Sequence, residues 1–129
     1  MILELHPFTL ELAHTFGISR ESYDRQETLI ASLTQDGLTG YGEATANPYY
    51  GVSIPALTAE INAVKDLIEA SPPGDPEGLY NALCEQGLSG FARCAVDLAA
   101  WDLHGKRVGK PLYEISGTRM EKYPVTNYT

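Results

Sequence analysis

Two short stretches of this sequence carry side chains suited to recognising a ligand. In the first, Phe16, Ile18, Arg20 and Glu21 are separated by Gly17, Ser19 and Ser22, a composition that reads as a loop from His14 to Tyr23. An inward Arg20 would hold a carboxylate through two parallel hydrogen bonds, whereas an inward Glu21 would repel it and favour a cationic or neutral group. Both charges could equally be solvated on the loop exterior. In the second, Tyr49 and Tyr50 stand side by side between Pro48 and Gly51. They suit either an aromatic lid over a ligand or rings folded back onto a sheet.

Other reactive residue types fall into patterns without chemistry. Asp97 and Asp102 lie in an apolar run; spaced i, i+5 on a helix they project about 140° apart and cannot close on one ligand. They are read as structural acids satisfied by backbone N–H groups or by Lys and Arg. Cys84 and Cys94 lack a C-x-x-C arrangement and are read as reduced, inert thiols, while His6, His14 and His104 lack the paired spacing of a zinc site. Gly40-x-Gly42 has neither a third glycine nor a following helix start, so a close-packed strand replaces the phosphate-loop reading. No catalytic residue and no metal ligand is assigned within this chain.

The elements that must position these residues follow from periodicity. Ile2 to Leu12 alternates with a change of parity around Pro7, which suggests a strand with a bulge or break there. Alternation resumes at Thr28 with Leu29, Ala31 and Leu33. Asp36-Gly37 supplies a tight hairpin turn, and a third strand runs from Leu38 to Ala44. Ser53 caps a helical stripe of Ile54, Leu57, Ile61, Val64 and Ile68, and Asp75-Pro76-Glu77 starts a short second helix. A third helix follows Ser89, with Ala92, Val96, Ala99 and Leu103 on its buried side, widened by Ala95, Leu98 and Trp101. Its alanines invite close backbone approach by a neighbour. The order is that of an α+β layer, a three-stranded antiparallel meander followed by three helices, and Tyr123 to Thr129 reads as an unfinished strand.

The segment Ala92-x-Cys94-Ala95-Val96-Asp97-x-Ala99-Ala100-Trp101-Asp102-Leu103-x-Gly105-Lys106, followed by Pro111-Leu112 and Ile115-x-Gly117, resembles the signature of the mandelate racemase and muconate-lactonising group of the enolase superfamily. It departs from that pattern at Ser116, where the group carries a bulky apolar residue. The resemblance implies an N-terminal capping domain over residues 1–117, with residues 118–129 a linker and the first strand of a (β/α) barrel absent from this chain. That barrel is expected to bind Mg²⁺ and carry the acid/base residues. Gly40-Tyr41-Gly42-Glu43-Ala44, the loop after it and Thr126-Asn127-Tyr128-Thr129 look most like the dipeptide epimerases. There, two cap loops, here His14 to Tyr23 and Thr45 to Val52, read the substrate side chains. The substrate-binding residues so implied are Phe16, Ile18, Arg20, Glu21, Tyr23, Tyr49, Tyr50 and Thr129. Members acting on L-Ala-L-Glu use a loop arginine near Arg20; ungapped counting from Phe16 puts Glu21 there, which favours a hydrophobic or cationic dipeptide. A muconate cycloisomerase or o-succinylbenzoate synthase cap is the neighbouring reading. A stand-alone binding or assembly module is the reading from another class.

Seventeen acidic against nine basic residues give a net charge of −8, which disfavours nucleic acid and anionic membranes as partners. Neither a membrane-length apolar run nor a charged-then-apolar leader is visible, so a cytoplasmic location is expected. The expected partners are a small-molecule dipeptide and the chain's own barrel, and self-association is compatible with the sequence.

Overall fold

A computed structural model describes residues 1–18 and 21–118, the side chains of Ile18 and Glu21 aside. Among these residues, β1 (Ile2–Ile18), β2 (Glu21–Gln35) and β3 (Leu38–Thr45) form one antiparallel sheet in the order β1-β2-β3. The β2–β3 turn is Asp36-Gly37 with φ of 52° and 78°, the pair of positive values that a type I′ hairpin turn demands. A single 3-10 turn (Pro48–Tyr50) precedes α1 (Ile54–Asn62), α2 (Lys65–Ala70), α3 (Pro76–Glu85), α4 (Gly90–Val108) and a one-turn α5 (Leu112–Ile115). The expected caps are in place: Ser53, Asp75 and Ser89 accept from the N–H groups of Ala56, Gly78 and Ala92. Glu60 braces the last of these, its carboxylate accepting from both the N–H and the hydroxyl of Ser89.

The core lies between one face of the sheet and the helices. Leu3, Leu29, Ala31 and Leu33 meet Ile54, Leu57, Ile61, Ile68, Leu83 and the α4 stripe of Ala92, Ala95, Val96, Ala99 and Leu103. Opposite Leu33 and Ala31, β3 carries Gly40 and Gly42, and both face α4. A Cβ on Gly40 would collide with the carbonyl oxygen of Ala99, and one on Gly42 with that of Ala95. Glycine on the strand and alanine on the helix thus let backbone meet backbone, as both sequence patterns suggested.

Both free edges of the sheet are tied by a lysine and an acid one helical turn apart. On β1, the Leu3 N–H donates to Glu69 Oε1 (2.9 Å) while Lys65 Nζ donates to the Leu3 carbonyl (3.0 Å). On β3, Asp102 Oδ2 accepts from the Tyr41 N–H (2.8 Å) and from Lys106 Nζ (2.7 Å), and Lys106 also reaches the Thr39 carbonyl (2.7 Å). Edge groups that would otherwise invite another strand are occupied. Asp102 is therefore the structural acid expected. Asp97 is half-buried; desolvation raises its carboxyl above the usual range, and a hydrogen bond from Trp101 opposes the shift.

Several expectations are corrected. His14 to Tyr23 is not a plain loop: β1 continues to Ile18 and β2 begins at Glu21, so the described part of the stretch is an arm of paired strands. The β1–β2 register runs unbroken through Pro7, which an edge strand tolerates. Irregularity falls instead between Glu11 and Phe16, where residues 12–15 of β1 lie opposite the single Asp24. The parity change at Pro7 is a change of face: Phe8 and Leu10, 56% and 40% exposed, lie away from the helices. The single helix expected from Ile54 to Ala70 turns at Val64 (φ −117°, ψ 18°), aiming α2 at the β1 edge while keeping Ile61 and Ile68 buried. Leu98 is 45% exposed and Trp101 only half-buried, so neither belongs to the core.

Candidate functional site

The end of the first stretch, Ser22 and Tyr23, and the Pro48–Tyr50 loop of the second meet at one cleft of about 700 Å³, lined also by Arg25, Gln26 and Asn47. The first wall is the arm of paired strands. Tyr23 pairs with Phe16 across the strands, and their rings lie 5.3 Å apart. Thr15 Oγ1 donates to Asp24 Oδ1 at 2.5 Å, pinning the irregular segment of β1 to β2. Arg25 Nη2 lies 3.4 Å from Glu11 Oε1, both side chains more than 70% exposed, an ion pair of little energetic weight.

The second wall is a loop closed on itself. Asn47 and Val52 exchange two backbone hydrogen bonds of 2.9 Å, the Tyr50 N–H donates to the carbonyl and to Oδ1 of Asn47, and the Gly51 N–H donates to the Pro48 carbonyl. Gly51 has φ 69°, a left-handed conformation that a residue with a Cβ adopts at a cost. The closed loop presents Tyr49 and Tyr50 to solvent, 73% and 67% exposed, with rings edge-to-face at 4.9 Å. Tyr50 also leans on Phe91 of α4 (5.9 Å). The alternative of rings folded back onto the sheet is not what the chain adopts.

Of the residues expected to bind substrate, Tyr23, Tyr49 and Tyr50 line this cleft, and Phe16 joins it through Tyr23. The backbones of Ile18 and Glu21 pair at the end of the arm. Arg20 and Thr129 lie outside the described residues. Sequence reading missed Arg25, Gln26 and Asn47. A signal existed for Arg25 alone, because Tyr23-x-Arg25-x-Glu27 is in phase with Leu29-x-Ala31-x-Leu33 and could have extended β2 backwards.

Aromatic rings beside Arg25 and Glu27 are groups suited to holding a ligand rather than to making bonds. Among the described residues no three His, Cys, Asp or Glu side chains converge to hold a metal ion, so the residues of this cleft do not fit Mg²⁺ and no step through it is derived from them. No described helix is long and apolar enough to cross a membrane.

Comparison with known proteins bears on the whole chain. The family profile described as the N-terminal domain of mandelate racemase / muconate lactonizing enzyme matches residues 7–117. An L-Ala-D/L-amino acid epimerase of Maribacter sp. is 56% identical over 129 residues, covering 100% of this chain and 38% of the relative. An L-Ala-D/L-Glu epimerase of Bacteroides thetaiotaomicron is 32% identical over 130 residues, again 100% of this chain and 34% of the relative. The chain thus spans little more than a third of the length of these curated relatives. Among solved structures, an enolase family member from Agrobacterium tumefaciens with homology to dipeptide epimerases, holding sodium and L-Ala-L-Glu, superposes with a TM-score of 0.72 at 28% identity, over 91% of this chain and 34% of that one. A dipeptide epimerase from Enterococcus faecalis complexed with Mg and L-Leu-L-Tyr shares the fold with a TM-score of 0.79 at 23% identity, over 88% and 33%. With the meander, the helices and the α4 segment all accounted for, the chain belongs to the mandelate racemase/muconate lactonizing enzyme family and carries the N-terminal domain of its members.

Proposed function

We propose that this chain is the substrate-capping domain of a dipeptide epimerase, with residues 1–117 as the cap and residues 118–129 leading into a barrel. The observation that carries the reading is the cleft that Tyr23, backed by Phe16, shares with the Tyr49–Tyr50 loop. Identity of 56% to an L-Ala-D/L-amino acid epimerase supports the same reaction class. The barrel would hold the Mg²⁺ ion and with it supply Lewis-acid stabilisation of negative charge. The residues of this chain bind the second side chain of the dipeptide, orient it and exclude water from the barrel mouth. Exposed tyrosine faces favour a hydrophobic or cationic side chain over that of L-Ala-L-Glu. Unpaired thiols at Cys84 and Cys94 support a reducing, cytoplasmic setting.

The test is α-proton exchange in D₂O, catalysed by the full-length protein with Mg²⁺, on L-Ala-L-Leu, L-Ala-L-Lys and L-Ala-L-Glu. Exchange is expected with the first two, with KM raised in Tyr49→Ala and Tyr50→Ala. Absence of exchange with every dipeptide would refute the reaction. A preference for L-Ala-L-Glu, lost in Arg20→Ala and kept in Glu21→Ala, would refute the assigned side-chain class.

A further inference from the structure

The two walls of the cleft are joined at one side chain. Gln26 belongs to the arm, opposite Leu10 in the β1–β2 register. Its Nε2 donates to the Glu27 carbonyl and to the Ala46 carbonyl, each at 3.0 Å. Both partners are carbonyl oxygens, which only accept, so the NH₂ group must face them and the amide has one orientation. Ala46 lies one residue beyond the last β2–β3 pair, Thr28 with Thr45, and one before Asn47, where the closed loop begins. Its N–H donates to the Glu27 carbonyl at 2.9 Å. The amide therefore holds the loop to the arm just where the ladder has run out.

We infer that Gln26 is a positioning residue: it sets the spacing between the arm that carries Tyr23 and the loop that carries Tyr49 and Tyr50, and thereby the size of side chain the cleft accepts. This rests on the capping role proposed above. Without the clamp the loop keeps its own hydrogen bonds and its Tyr50 contact with Phe91, but on the side of the arm it is held by the Ala46 N–H. A ligand that needs both walls must then order them on binding, which weakens affinity without altering chemistry elsewhere.

Gln26→Met keeps the length and removes the donors. Gln26→Glu keeps the shape, removes the donors and serves should the first variant fail to fold. In the full-length protein either change is expected to raise KM for L-Ala-L-Leu about tenfold, the scale of one or two neutral hydrogen bonds, with kcat within about twofold. KM for L-Ala-Gly, which has no second side chain to grip, should move by less than about twofold. Equal losses on both dipeptides, a fall in kcat alone, or no change would overturn the inference. Hydrogen exchange provides an activity-independent arm: the Ala46 amide should exchange faster in either variant, and unchanged protection would sink the clamp. Should the wild type exchange no dipeptide at all, the capping reading fails while the clamp is still decided by that protection.

Discussion

Gly42→Ala tests the seam between β3 and α4 with one methyl group. The added Cβ would meet the Ala95 carbonyl oxygen, the Ala99 nitrogen and the Leu98 Cβ, all closer than any real Cβ contact. Two of the three are backbone atoms of a continuous helix, so no side-chain rotation relieves the overlap and the strand must lift off. Overpacking costs ~1–3 kcal/mol where neighbours can adjust, and a rigid backbone places this case at the upper end, ~3 kcal/mol or more. With a urea dependence of ~2 kcal/mol per molar, the midpoint should fall by ~1.5 M. Gly17→Ala is the control: its nearest neighbour is Ser22 Cβ at 4.0 Å and its φ is not positive, so the midpoint should hold or rise slightly. The assay is urea unfolding followed by far-UV circular dichroism. Adding Ala95→Gly should not rescue Gly42→Ala, because the obstructing atom is a carbonyl oxygen. Rescue, or a Gly42→Ala midpoint equal to wild type, would refute the backbone-contact reasoning.

Leu103→Ala should cost ~3 kcal/mol or more, because Leu103 is 0% exposed in the core, whereas half-buried Trp101→Ala should cost less; the same urea curves rank them. Ser89→Ala should cost ~1–2 kcal/mol, since one hydroxyl both caps α4 and bonds Glu60. Two carboxylates should show opposite pH dependence in thermal melts. Burial raises the Asp97 carboxyl from its ordinary 3.8, so its charge costs stability progressively as pH rises through and above that value. Asp97→Asn should therefore stabilise at pH 7 and lose its advantage in acid. The Leu3 N–H, aided by Lys65, lowers Glu69 from its ordinary 4.5, so its stabilisation is present above that value and is lost as pH falls through the lower folded one. Glu69→Gln should destabilise at pH 7, with the deficit vanishing in acid.

Features set by side-chain size or by a local backbone rule were legible in the sequence. Asp36-Gly37 can hardly be anything but a hairpin turn, and the glycines of β3 and the alanines of α4 each announce a close approach that the other completes. The arm was not legible, because it is held by cross-strand pairing rather than by burial. From Ala13 to Gly17 every residue is exposed, so the hydrophobic period that marks the strand as far as Leu12 stops there. Trp101 misled for a related reason: helical spacing shows which residues share a side, not where the neighbouring layer ends. Tyr49 and Tyr50 could be named as a pair but not oriented, since their exposure depends on the hydrogen bonds of Asn47 and on Gly51 being left-handed. Gln26 carried no signal at all, because its partners are carbonyls whose positions exist only after the sheet has formed.

The arm is a lever whose fulcrum is the glycine seam. From Thr28, where the ladder with β3 ends, seven residues lead to Glu21 at the end of the described arm, roughly 24 Å at ~3.4 Å per residue. A tilt of about 5° at the sheet would swing that end by about 2 Å, and misplacement of about 1 Å can cost a reaction ~100-fold. In the proposed capping role, substitutions deep beneath the sheet can therefore retune substrate choice through angle alone. Random libraries screened for altered dipeptide preference should recover changes at Ala95, Ala99 and Leu103 alongside those in the cleft.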